Sequence, residues 1–177
     1  LDELPFPCLS IVLIEPFIKN ETNQILLVTQ IADYDCHMCS AWVHGAVFQE
    51  TPLGWIMRLN SEISVYGGGY GLSPRAELAQ MGLEQFVLVF HHSEMQMGEY
   101  IGMDMLFIED EIGWKEILSV ETSHGYVGNE VYEEWGFRSE AEFITGEHAP
   151  YFDYLVITSG TKNFPTSDAV WNLQPFT

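Results

Sequence analysis

The sequence predicts a mainly β protein: an antiparallel sandwich or flattened barrel of about eight to ten strands, with one short helix near residues 74–81. Three observations carry this reading. Apolar and polar residues alternate with period two over many short stretches, as they do in half-buried strands. Turn-forming segments rich in Gly, Asn and Pro separate those stretches. Long helical patterns do not alternate with them, which argues against a doubly wound fold. The chain has 177 residues, and a chain of that length fits a single domain, residues 1–177, that hides about 70% of its unfolded surface.

In chain order, strands are expected at Ser10–Ile14, Ile25–Ile31, Trp42–Phe48, Gly54–Leu59, Glu62–Tyr66, Gln85–His91, Tyr100–Ile108, Trp114–Glu121, Glu140–Thr145 and Tyr151–Thr158. The breaks between them are turn chemistry: KNETN at 19–23, TPLG at 51–54, GGGYG at 67–71, EDEIG at 109–113 and SGTKN at 159–163. The helix is placed by Ser73 as a cap, Pro74 at the first helical position and Gly82 past the end. A second short helix is expected near Asn129–Trp135. No repeat, linker or low-complexity tract divides the chain, and no apolar run approaches the ~20 residues of a membrane-crossing helix.

The charge balance is lopsided. Asp and Glu number 26 against 6 Lys and Arg, a formal net charge of −20. Such a surface repels nucleic acid, whose binding depends on Lys and Arg displacing counterions. It repels anionic lipid headgroups too, and it favours a cation or a basic protein. The expected partner is an unknown protein, a cation or a small ligand. The chain opens at Leu1 without a leader, which fits a mature exported protein, periplasmic or secreted, after signal-peptide removal.

Two of the three cysteines, Cys36 and Cys39, stand in DYDCHMCSAW at 33–42. Four chemistries compete. A thiol–disulfide oxidoreductase wants CxxC at the start of a helix, yet SAWVHGAVF reads as a strand, and Asp33 and Asp35 would raise a thiol pKa. Haem attachment needs His directly after the second Cys, where Ser40 stands. Structural zinc needs four ligands, and only Cys8 offers another sulfur. A disulfide pinning a turn is the default for an exported protein and leaves Cys8 over, although Cys8 could equally pair with either of the two.

HHSEMQMGEYIGMDM at 91–105 contains four of the seven methionines and two of the six histidines. Thioether and imidazole ligands suit copper, above all Cu(I). His91, His92, Met95 and Met97, with His37 and the Cys36–Cys39 pair, are therefore the candidate metal ligands. The competing reading is an ordinary half-buried strand pair with Met as core filler.

Other signals are weak. GGGYG lacks the Walker lysine and the dinucleotide-loop spacing, and no G-x-S-x-G elbow occurs. The EDE run at Glu109–Glu111 reads as a solvated hairpin tip, and His124 and His148 read as loop residues. Aromatics recur near turns, among them Trp42, Trp55, Trp114 and Trp171. They fit a core with end caps better than a carbohydrate platform. The leading expectation is an exported acidic binding or interaction domain without catalysis or a required cofactor. A periplasmic copper-binding protein and a CxxC thiol oxidoreductase stand behind it.

Overall fold

A computed structural model describes residues 8–32, 41–65, 73–82, 84–127, 135–144 and 153–161. They form ten strands: β1 (Cys8–Lys19), β2 (Thr22–Ala32), β3 (Trp42–Thr51), β4 (Gly54–Ile63), β5 (Arg75–Gln80), β6 (Phe86–Gln96), β7 (Glu99–Glu109), β8 (Trp114–Tyr126), β9 (Trp135–Ile144) and β10 (Asp153–Thr161). Strands β1 to β4 make a four-stranded sheet and β5 to β10 a six-stranded one. Each pairing is antiparallel and joins neighbours in sequence. The predicted sandwich or flattened barrel is the observed architecture.

The short helix is not observed. Residues 75–80 form β5, an edge strand whose Ala76 pairs with Phe90 and whose Leu78 pairs with Leu88. The reason is tertiary: RAELAQ can alternate as well as it can coil, and the apolar face of β6 needs a neighbour. Ladder pairing and burial outweigh a cap worth about 1 kcal/mol. The second expected helix falls almost wholly on residues outside the described ones, and Trp135 itself opens β9. The two strands expected at Gly54–Leu59 and Glu62–Tyr66 are one continuous strand through Ile63, with a bulge opposite Val47 and Phe48.

The sheets face each other across one apolar core. Leu26, Val28, Val43 and Val47 of the small sheet meet Leu88, Phe90, Met105 and Phe107 of the large one. Phe90 and Phe107 pack edge-to-face, ring centres 5.7 Å apart. Each such side chain is worth roughly 1.5–3 kcal/mol when fully buried. The opposite face of the large sheet carries a smaller cluster of Met81, Val87, Val89 and Leu106, against which Phe143 of β9 and Tyr154 of β10 pack. The six-stranded sheet therefore curls into a half-barrel, bringing β10 over β7.

Polar contacts lock the sheets together. Glu109, at the end of β7, forms ion pairs with Lys19 of β1 (3.3 Å) and with Arg58 of β4. Burial alone would raise its carboxyl pKa, but the two cations hold it below the ordinary value. The expected solvated tip thus begins only at Asp110, whose carboxylate accepts from the backbone N–H groups of Ile112 and Gly113. Two of the ladders close through two-residue turns with both residues at positive φ: Asn20–Glu21 (52° and 58°) and Met97–Gly98 (53° and 86°). That geometry matches the strand twist of tight hairpins.

Candidate functional site

The His/Met stretch forms the distal half of β6, the turn and β7. His91 and His92 are adjacent on β6, so their side chains leave on opposite faces. His92 is buried, with Nε2 3.4 Å from Glu94. His91 and Met95 share a face but stand four residues apart, about 13 Å along a strand. Met97 occupies the exposed turn at positive φ. The structure therefore does not bring His91, His92, Met95 and Met97 to one point. Among the described residues, no group of three or more His, Cys, Asp or Glu side chains is placed to hold a metal ion. Cys36, Cys39 and His37 lie outside the described residues. Cys8 opens β1.

What His91 does instead is bridge two carboxylates. Its Nδ1 lies 2.8 Å from Asp104 of β7, the residue opposite it in the ladder. Its Nε2 lies 3.3 Å from Glu77 of β5. Asp104, only 8% exposed, also accepts a 3.1 Å hydrogen bond from the Tyr154 hydroxyl of β10. The result is a chain, Glu77–His91–Asp104–Tyr154, linking four strands on the concave face of the half-barrel. The Asp104 hydrogen bond raises the imidazole pKa; partial burial opposes this, and the charges of Asp104 and Glu77 reinforce it. Burial first, then the Asp104 charge and hydrogen bond, push the Tyr154 phenol far above its usual value.

These contacts tie four strands together. An imidazole stabilised as a cation between two carboxylates has less of its neutral, basic form, and a phenol with a raised pKa has less of its phenolate. Among the described residues, both ring nitrogens of His91 meet carboxylates. Glu77, Asp104 and Tyr154 were not singled out from the sequence. The readable signal was Asp104, a lone carboxylate inside the apolar run MDMLFI. His124, expected in a loop, lies within β8 between Glu99 and Glu121, 2.8 Å from each.

The second feature is a surface. Along β1, Leu13 and Phe17 belong to the inner face, while Leu9, Ile11, Ile14 and Ile18 lie on the outer one and are more than half exposed. Ile14 pairs with Leu27, Leu27 with Ala46, and Phe48 with Met57, so an apolar band runs across all four strands. Trp42 and Trp55 flank it and are exposed, whereas Trp114 is inserted between the sheets. Charge on this face is confined to its ends: Glu50, bonded by Asn23, at one and the His44–Glu62 pair at the other. In a chain with 26 acidic residues, a charge-free central band is the exception. Contiguous exposed apolar patches are candidates for interaction sites.

Compared with protein-family models, with curated proteins and with solved structures, the chain has no match. The functional reading therefore rests on its own residues.

Proposed function

We propose that the protein is a non-catalytic binding domain that docks on another macromolecule through the outer face of its four-stranded sheet. The observation that carries this is the charge-free apolar band from Ile14 to Met57. Leaving such side chains in water forgoes roughly 25 cal/mol for every Å² that a partner would cover. The remaining acidic surface keeps the free domain soluble and discourages indiscriminate contacts. The Glu77–His91–Asp104–Tyr154 chain is then a scaffold element that fixes the curl of the large sheet.

Two methionines supply an internal test. Met57 lies on the proposed docking face and is 58% exposed, whereas Met97 is on the β6–β7 turn, away from that face, and is 93% exposed. Both should oxidise in the dilute purified protein. In a concentrated whole-cell extract, Met57 should oxidise several-fold more slowly relative to Met97. An unchanged ratio of the two rates would rule the docking face out.

A further inference from the structure

We propose that the partner of the outer face is a second copy of this chain, packed sheet on sheet as a two-fold dimer. The inference rests on the docking face described above and names its occupant.

Size is the first argument. Four strands at ~4.8 Å spacing and ten residues at ~3.3 Å rise give a footprint of roughly 600 Å². Protruding side chains increase the accessible area beyond that footprint, toward the ~800 Å² per partner of a standard stable interface. A contact of that size takes in the apolar band at its centre and Glu50 and the His44–Glu62 pair at its two ends.

Charge is the second. In a two-fold contact the same patch meets itself. A chain with net charge −20 repels its own copy over most of its surface, and a basic partner would be drawn to the acidic regions rather than to this band. Apolar residues facing the apolar band of the second copy carry no such penalty. Glu50 with Asn23, and His44 with Glu62, form the polar rim seen around specific interfaces.

The edges give the third. β1 carries Pro16, which lacks an N–H, and a bulge at Val12. Both features discourage a copy from extending the sheet sideways. The β4 edge is approached by β8, where the backbone N–H of Trp114 donates to Ser61 Oγ at 3.2 Å. For the four-stranded sheet these edges favour stacking face to face, with strands close to the −30° of aligned sandwich packing.

Sedimentation velocity on the purified full chain tests this, with Met57 oxidation followed in the same samples. The chain should sediment as a dimer, and more completely at high salt, where repulsion between the two acidic copies is screened. Ile14→Glu should weaken the dimer more than about tenfold, because it places a charge in a desolvated contact. Ile112→Glu, on the exposed β7–β8 turn, should leave it intact. Unfolding curves of both variants separate lost association from lost folding. In pure protein, protection of Met57 should rise with the protein's own concentration. A monomer at every concentration and salt, or a dimer indifferent to Ile14→Glu, overturns the second copy. If Met57 is protected only in extract, the partner is a different molecule: the docking face stands and the dimer falls. Protection in neither sample overturns both.

Discussion

The indole Nε1 of Trp114, first residue of β8, donates a 3.1 Å hydrogen bond to the carbonyl oxygen of Gly45 in the middle of β3. This bond crosses from one sheet to the other. It explains a glycine at the centre of an otherwise well-formed strand: a Cβ there would run into the Trp114 ring and reach 2.8 Å from Ile63 Cδ1.

Gly45→Ala should therefore cost about 1–3 kcal/mol, as overpacked cores do. Trp114→Phe keeps a ring but loses the donor, and should cost about 0.5–1.5 kcal/mol, the net worth of one hydrogen bond. Urea unfolding of the two variants measures both. A neutral Gly45→Ala would show that the indole moves aside freely.

The pKa of His91 is raised in the folded state, so the sign of its pH effect follows. Its contribution is complete below the unfolded value of about 6.5 and disappears as pH rises through the higher folded value. Glu77, Asp104 and the Tyr154 hydroxyl are the polar groups that form this chain with it. The wild type should lose melting temperature relative to His91→Gln as pH rises from about 6.5 through the folded value. Parallel melting curves across that range would mean that the bridge contributes nothing.

Tyr154→Phe removes a donor from the buried carboxylate of Asp104. A loss of about 1–3 kcal/mol is expected, because a buried acceptor left short of a partner bears its desolvation cost. Hydrogen exchange should accelerate first in β9 and β10, which this bond ties to β7. Uniform acceleration through both sheets would place the effect elsewhere.

Glu21 sits at φ 58° in a two-residue turn, a conformation that disfavours a residue with a Cβ. Glu21→Gly should raise stability by roughly 0.5–1 kcal/mol, giving the Asn-Gly pair such turns prefer. Thermal unfolding will show it, and a lower melting temperature would contradict the turn geometry.

The strand content was legible because period two and turn chemistry are local properties. The residue types of β6 and β7 declare a hairpin without knowledge of anything else. β5 was not legible, since Ser73, Pro74 and Gly82 obey helix grammar while Ala76 and Leu78 answer to β6. The exposed apolar face of the small sheet was hidden for a related reason. SIVLIEPFI in β1 is apolar at both parities, which reads as a strand covered on both sides, and only the arrangement of the sheets shows that Leu9, Ile11, Ile14 and Ile18 are exposed. The polar chain was half visible: His91 drew attention as a ligand, but its partners Glu77 and Tyr154 come from strands far away in sequence.

The strictly sequential pairing of strands has a consequence for biosynthesis. Each hairpin needs only residues already made, so the first sheet is complete once Ile63 has left the ribosome. Its inner residues, Leu26, Val28, Val43 and Val47, then wait for Phe90 and Phe107. At 5–20 residues per second, that wait is a few seconds of translation. During it the nascent sheet is apolar on both sides, which makes this the interval in which a chaperone has most to protect.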